Sequence, residues 1–451
     1  MNTILLNTVS LDGGTIIKKG SGGGGVTIKN QEKSLEITEN GVTEVAPDSG
    51  FTGLSKVTIN TNVASSGGGG TGGAVVKSDV NFYDYDGIVL YSYTKDEFLA
   101  MSEMPPLPTR KGLICQEWNW DYEDAIAYVS EYGILNIGAT YITDDGKTRL
   151  YISVAKGRQE VPLVISQSVA DGVTIDWGDG SAMETLSSKS GVVKHNYADG
   201  GFYCITLEVA EGCYLYLSDN IIGGYTHYIY DNVLRRVEIG ERVTSIGNLS
   251  ATSLTSISIP VGITKLSDSF SQCRSIAHIT IPRSVTSIGS QAFRCCSALS
   301  CVVLPNFPIT TTLSLEECYA LSSFIYPNGS TAELDFENCS SLRRAAIPNS
   351  VTTFMGRAFY ECKNLEFLII PKSISELKDY MFYKCRAVSY YDFSQHESVP
   401  ILSGSSVFTN IPSDCKIIVP DVLYDEWIAA TNWSTYASKI IKKSDWDASQ
   451  S

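Results

Sequence analysis

A ten-residue phrase that begins with Cys and ends with Pro recurs in register along the second half of the chain, and it narrows the possible folds more than any other feature. It reads CRSIAHITIP at Cys273–Pro282, CSALSCVVLP at Cys296–Pro305, CYALSSFIYP at Cys318–Pro327, CSSLRRAAIP at Cys339–Pro348 and CKNLEFLIIP at Cys362–Pro371. The full pattern is aromatic-x-x-Cys-x-x-Leu-x-x-apolar-x-Ile-Pro, followed by apolar residues three and six places after the Pro, such as Val285/Ile288 and Ile374/Leu377. Phe270, Phe293, Phe336, Phe359 and Phe382 fill the aromatic position, and Leu315 replaces it once. Pro260, Pro282, Pro305, Pro327, Pro348 and Pro371 are spaced 22, 23, 22, 21 and 23 residues apart. A period in the low twenties with fixed apolar positions predicts a solenoid.

The spacing has a physical reading. A short strand such as ISIP or LIIP points alternate side chains inward, and Pro ends it where no further ladder hydrogen bond is needed. One coil cannot bury its inward side chains alone, so it stacks on the next. Each coil advances by one strand spacing, ~4.8 Å, giving about 40 Å for about eight or nine coils. Cys273, Cys296, Cys318, Cys339, Cys362 and Cys385 share one inward position, which predicts a ladder of small buried residues. Their Cβ vectors would run parallel, which opposes disulfides, and a ladder does not converge on a point as a zinc site must.

The pattern resembles the BspA-like leucine-rich repeats, over roughly residues 231–393. The first coils, around VLRRVEIG and SLTSISIP, lack the Cys. After the repeats, CKIIVPDVLYDEWIAATNWSTYASKII predicts a last strand over Ile417–Val419 and a helix opened by Asp421, with Tyr424, Trp427 and Ile428 closing the open end of the core.

Upstream the texture changes repeatedly. Two glycine runs, Gly22–Gly25 and Gly67–Gly70, read as flexible linkers around a short β module in which Leu35/Ile37 and Val57/Ile59 alternate with polar residues and Asn40-Gly41 and Asp48-Ser49-Gly50 supply turns. Its words SLEITENGVTEVAPDSGFTGLSKVTINTNV resemble a module near the N-termini of tailed-phage virion proteins. Next, VNFYDYDGIVLYSY predicts a hairpin turning at Asp86-Gly87. Thr94 and Glu97 make a capping box with Tyr93 and Phe98 as its staple, and a second helix is expected from about Asp121 to Tyr132, stopped by Gly133. ATYITDDGKTRLYISV reads as a closing hairpin turning at Asp145-Gly146. DGIVLYSYTKDEFLAM, QEWNWDYEDAIAYVSEYG and YITDDGKTRLYI together resemble a domain of virion proteins of gut phages that often precedes leucine-rich repeats. A third unit carries Trp177-Gly178-Asp179-Gly180, His195-Asn196-Tyr197 and Gly201-Phe202-Tyr203, and resembles the PKD-like immunoglobulin β-sandwich. Trp177 is expected in its core and His195 at a corner.

The expected fold is therefore multidomain and mainly β. It divides into an attachment segment and Gly linker (1–25), a small β module (26–63), a Gly/Ser linker (64–77), a small α+β domain (78–160), a PKD-like β-sandwich (161–220), leucine-rich repeats (221–411) and a C-terminal strand with a helical cap (412–451).

With 18% charged and 43% apolar residues the chain reads as folded rather than disordered. A net charge of −15 argues against nucleic acid and anionic membrane surfaces as partners, and no apolar run suits membrane insertion. The start, MNTILLNTVSLDGG, lacks the basic segment of a secretory signal, so a reducing cytoplasm is the expected folding compartment and the 12 cysteines are expected free.

No catalytic, cofactor or metal constellation is legible. The four His (195, 227, 278, 396) lack ligand spacing, the Gly runs lack the Lys-Ser/Thr of a phosphate loop, and no nucleophile elbow occurs. Asp84, Asp86, Asp144 and Asp145 sit beside Gly, where turn chemistry explains them better than acid–base work or calcium. Carboxylate pairs assembled from distant residues lie beyond sequence reading.

The resemblances imply a structural and adhesive virion protein of a tailed phage, a tail fibre, head fibre or similar appendage assembled in the host cytoplasm. It would dock to other virion proteins through the N-terminal region and bind a host protein or glycan through the repeats, without catalysis or cofactor. A homo-oligomer, trimeric by analogy, is expected. The alternatives are a bacterial cell-surface adhesin with the same repeats and a polysaccharide-degrading tail enzyme. Arg274, Arg283, Arg343, Arg344, Tyr390 and Tyr391 are the expected exposed row on the repeats.

Overall fold

The computed structural model describes strands at 26–30, 33–38 and 41–44, and then residues 79–450 apart from 218–220, 223–232, 250–252, 311 and 332. The chain forms two compact units, Met1–Val75 and Val76–Ser451. In the first, Val26–Asn30, Lys33–Thr38 and Gly41–Glu44 form an antiparallel sheet in which Val26 faces Ile37 and Leu35 faces Glu44. The glycine runs, Val57/Ile59 and the turns expected at Asn40 and Asp48–Gly50 lie outside the described residues.

The second unit begins with a four-stranded sheet in the order Val89–Tyr93, Val80–Tyr83, Leu135–Thr143, Leu113–Trp118. Thr94 and Glu97 exchange both capping-box bonds at the start of Lys95–Leu99. Asp121 caps Tyr122–Tyr132, and Gly133 ends that helix at φ 77°, a left-handed conformation that suits a residue without Cβ. Val80, Phe82, Phe98, Trp118, Ala125, Val129 and Leu135 bury the helices against the sheet.

The hairpin expected at Asp145-Gly146 does not form. Leu135–Thr143 stays in the first sheet, whereas Thr148–Val154 pairs with Gly201–Val209 and Leu234–Glu238. The alternating Leu150, Ile152 and Val154 are buried in the next core, and that burial outweighs local strand pairing. The chain thus changes sheets at the turn, where Arg149 holds Asp145 at 2.6 Å.

Two six-stranded sheets follow, packed face to face. One runs Glu184–Thr185, Val173–Asp176, Gly201–Val209, Thr148–Val154, Leu234–Glu238, Ser256–Ser258; the other runs Ser190–Asn196, Glu160–Gln167, Leu215–Leu217, Val243–Ile246, Lys265–Leu266, Ser287–Ile288. Each sheet starts as a sandwich and continues into the repeats. Leu234–Glu238 pairs antiparallel with Thr148–Val154 and parallel with Ser256–Ser258. Leu215–Leu217 likewise pairs antiparallel with Glu160–Gln167 and parallel with Val243–Ile246. The sandwich is therefore the N-terminal cap of the solenoid, covering the strand edges that a first coil would otherwise expose. Trp177 is fully buried, His195 stacks on it at 4.7 Å and pairs with Asp179 at 2.8 Å, and the Tyr197 hydroxyl donates to the Trp177 carbonyl. That cluster explains the spacing of the two sequence words.

One hydrophobic core runs from Leu150 to Ile440. In most repeats the Pro opens a turn whose carbonyl accepts the N–H of the residue three places on, as Val285 to Pro282 and Ile374 to Pro371; Pro305 instead accepts from Phe307, because the third residue on is Pro308 and has no N–H. That bond sets the first apolar position after Pro; the second enters the other sheet, as Ile288 and Leu377 do. The ladder cysteines are all free and fully buried. Each thiol from Cys296 on donates to the carbonyl of the aromatic-position residue one coil back: Cys296 to Phe270 at 2.9 Å, Cys318 to Phe293 and Cys339 to Leu315 at 3.1 Å, Cys362 to Phe336 at 3.3 Å, Cys385 to Phe359 at 3.2 Å. Burial raises these thiols, Cys318 and Cys385 to about 12, so they stay protonated donors.

The C-terminal end is closed by more than a helix. Lys416–Val419 is followed by a 3-10 turn, the helix Tyr424–Ala429, a second 3-10 segment Trp433–Lys439, a further parallel strand Ile440–Lys442 and the helix Lys443–Gln450. Trp427 and Trp433 are buried against Phe393 and Phe408, completing the seal.

Candidate functional site

The repeats present a row of short parallel strands: His278–Thr280, Cys301–Val303, Ser323–Ile325, Arg344–Ala346, Phe367–Ile369, Tyr390–Asp392 and Lys416–Val419. Alternate side chains face away from the core, and this outward face is the natural place to bind something. Most of it is already covered.

The first part is covered by the α+β domain. Buried Asn119 donates through Nδ2 to the Ile281 carbonyl at 2.9 Å, the Trp120 indole donates to Leu304 at 2.7 Å, and the Tyr128 hydroxyl donates to Tyr326 at 3.0 Å. These side chains satisfy solenoid carbonyls that would otherwise need water. The Tyr83 ring packs against His278 at 5.0 Å, and Ile325 joins the core of the α+β domain. Gly138 lies so close to Thr280 that a Cβ would meet its Oγ1 at 2.3 Å. At the rim Arg283 pairs with Glu117 and approaches Asp121 at 3.6 Å. At the other end the helix Lys443–Gln450 packs on Lys416–Val419, where outward-facing Ile418 is fully buried, and Trp446 leans on Tyr390 at 5.0 Å.

Between these covers lies an open window two to three strands wide in the register Phe367–Tyr390–Lys416. Arg344 stands 5.9 Å from the Phe367 ring, Phe367 stacks on Tyr390 at 5.2 Å and 13°, and Tyr390 meets Trp446. Ile369 beside them is 54% exposed. Arg343 and Arg344 share Glu366, at 3.3 and 3.8 Å. A shelf of aromatic faces edged by guanidinium groups can take the flat apolar side of a ligand and fix a polar or anionic group beside it.

Of the residues expected to be exposed on the repeats, Arg274 is, Arg343, Arg344 and Tyr390 edge or floor the window, and Arg283 is engaged with the docked domain. Tyr391 corrects the expectation: it is fully buried between Phe382 and Phe408, because consecutive strand residues face opposite ways and Tyr390 takes the outward position. Phe367, Ile369 and Trp446 were missed. The alternation Phe367-Leu368-Ile369-Ile370 carried the signal for the first two, since Leu368 and Ile370 are the inward pair.

The aspartates are held structurally. Arg110 bonds Asp84 and Asp86, each at 2.6 Å, and their second oxygens accept the N–H groups of Tyr85 and Ile88. Asp145 accepts the Lys147 N–H as well as Arg149. Among the described residues no group of three or more His, Cys, Asp or Glu is placed to hold a metal ion. His278 is buried in the interface, where desolvation lowers its pKa to about 3. His227 lies outside the described residues. No helix among them is long and apolar enough to cross a membrane.

Residues 220–335 and 331–424 match the family described as BspA type leucine rich repeat region, in six copies. No curated protein matches the chain. Among solved structures it is similar to a leucine-rich repeat protein from Bacteroides ovatus (22% identity, 56% of this chain, 70% of that chain, TM-score 0.37). It is also similar to a leucine rich cell surface protein from Faecalibacterium prausnitzii (20% identity, 48% of this chain, 62% of that chain, TM-score 0.27) and to the T. pallidum leucine rich repeat protein (20% identity, 36% and 75%, TM-score 0.20). Residues 220–424 of this mainly β chain are thus BspA-type leucine-rich repeats wound into a solenoid.

Proposed function

We propose that the protein is a non-catalytic attachment protein whose ligand binds the open window of the repeat sheet. The observation that carries this reading is the contiguous series Arg344–Phe367–Tyr390–Trp446, with Phe367 and Tyr390 stacked at its centre, half-buried on a face whose other parts are covered by the chain itself. A scaffold needs no such opening, and a rigid aromatic shelf costs little conformational entropy when it binds. We further read the protein as part of a tailed-phage virion, a fibre or appendage, on the resemblance of SLEITENGVTEVAPDSGFTGLSKVTINTNV and of the α+β domain to virion modules. The sandwich is read as PKD-like on its WGDG, HNY and GFY words. Met1–Val75, a separate compact unit, would join other virion proteins or copies of this chain.

Two measurements test these readings separately. Full-length protein should bind host cells, and Tyr390→Ala with Phe367→Ala should reduce binding at least about tenfold, a loss of about 1.4 kcal/mol or more, without lowering thermal stability. Undiminished binding would remove the window from consideration. Mass spectrometry of purified virions and of bacterial surface fractions then separates the phage reading from a bacterial cell-surface adhesin. Release of reducing ends from host polysaccharide by purified protein would instead point to a tail enzyme.

A further inference from the structure

Beside the window, on the side where the strands begin, lies a groove of about 420 Å³ lined by Arg386, Val388, Ser389, Pro412, Lys416 and Trp446, with Asp414 at the same wall. Its size suits a small-ligand cleft. Basic side chains in the neighbouring coils are mostly spent on carboxylates from nearby turns: Arg294 on Glu316, Arg343 on Glu366, Arg357 on Glu337, Lys378 on Glu333, Lys384 on Glu361. Arg386 and Lys416 form no ion pair among the described residues, yet both line this groove, next to an indole ring that is itself held by Tyr390.

We infer that the groove binds a carboxylated sugar residue of a host glycan. The inference rests on the attachment reading and names its ligand class. Trp446 offers a flat apolar surface for the C–H face of a pyranose ring, Arg386 and Lys416 offer charge-assisted donors for the carboxylate, and the Ser389 hydroxyl can meet a ring hydroxyl. Lys416 opens the strand that pairs with Tyr390–Asp392, directly across from Tyr390, and Arg386 comes from the loop entering that neighbouring strand, so both cations line the same groove from successive coils. Asp414 repels a second negative charge, which favours one isolated carboxylate over a densely charged chain. An acidic peptide would satisfy the cations and leave the indole without a matching apolar ring face.

The test is calorimetric titration of full-length protein with sialyllactose and trigalacturonate, against lactose and a short polyglutamate. A carboxylated sugar should bind, with lactose and polyglutamate at least about tenfold weaker. Arg386→Gln and Lys416→Gln should each weaken that binding about tenfold, and Trp446→Phe should weaken it less than Trp446→Ala. Asp414→Asn should strengthen it a few-fold. Arg386 is exposed, so its variant tests the site without disturbing the cap. Equal binding of lactose, tighter binding of polyglutamate, or no binding of either acidic sugar up to about 10 mM would overturn the inference. If host cells are still bound in that last case, only the occupant of the groove is wrong; if they are not, the attachment reading falls with it.

Discussion

Asn119 reaches across the junction between two substructures and donates to the Ile281 carbonyl at 2.9 Å, while its own Oδ1 accepts the Gly138 N–H at 2.8 Å. One side chain therefore ties the docked domain's sheet to the solenoid, which makes the α+β domain and the repeats one body. Close approach of Gly138 to Thr280 is the steric condition for that contact. Gly138→Ala should lower stability by about 1–3 kcal/mol and raise hydrogen exchange in both His278–Thr280 and Leu135–Thr143. Thr280→Gly in the same chain should return much of the loss. Additive effects of the two changes would show that the domain is not docked this way.

The thiol ladder is reduced and inert. Cys339 donates to the Leu315 carbonyl, which already accepts the Cys318 N–H at 3.0 Å, so Cys339→Ala strands no buried carbonyl and should cost only about 1 kcal/mol. Phe359, stacked between Phe336 and Phe382 at 5.3 and 5.5 Å, should cost about 3–5 kcal/mol when truncated to Ala. Alkylation of the six ladder thiols should be slow in native protein and complete after denaturation. Fast native labelling of Cys339 would contradict the burial described above.

The residue just before the ladder Cys adopts left-handed backbone in every described coil of that form: Gln272, Cys295, Glu317, Asn338, Glu361 and Lys384 have φ between 57° and 64°, and Asn410 matches them at 62°. The corner is fixed because each N–H donates to the following coil, as Gln272 to Arg294 at 2.8 Å. Asn tolerates this conformation better than a longer side chain. Gln272→Asn should stabilise by up to about 1 kcal/mol, and Asn338→Val should destabilise by about 1–2 kcal/mol. Denaturation midpoints at constant m-value measure both.

His278 gives the docked interface a pH dependence of known sign. It packs against Tyr83, lies under Gly87, hydrogen-bonds Thr280 at 3.0 Å, and its Nδ1 has no partner among the described residues. Desolvation depresses its folded pKa to about 3, below the ordinary 6.5. The folded state thus favours the neutral ring, and this contribution is fully present above about pH 6.5 and is lost as pH falls toward 3. His278→Phe should therefore gain on the parent chain as pH drops from 7 to 4, by on the order of a few kcal/mol. Parallel stability curves over that range would count against this assignment.

The cap predicts its own hot spot. Trp433 is buried, donates its indole N–H to the Pro400 carbonyl at 2.6 Å and packs on Phe393, Phe408 and Trp427. Trp433→Ala should cost about 3–5 kcal/mol and open the last coils first, seen as early proteolysis after Tyr390.

The coil is legible in the residues alone. Period, inward aromatic, buried Cys, strand-ending Pro and closing Trp427 all follow from which side chains must leave water, and that requirement is written residue by residue. It also marked both helices of the α+β domain, because caps at Thr94, Asp121 and Gly133 are local. Long-range packing, by contrast, sets where Thr148–Val154 pairs, that the sandwich continues into the solenoid as its cap, and that the α+β domain covers the first strands of the binding face. Those outcomes depend on pairings between residues distant in sequence, from Leu150 with Ile205 to Asn119 with Ile281, and on close fits such as Gly138 against Thr280, for which no periodicity gives a signal. The window at Phe367 and Tyr390 is what those two covers leave open: its residues alternate visibly in the sequence, but their exposure is set by what docks beside them.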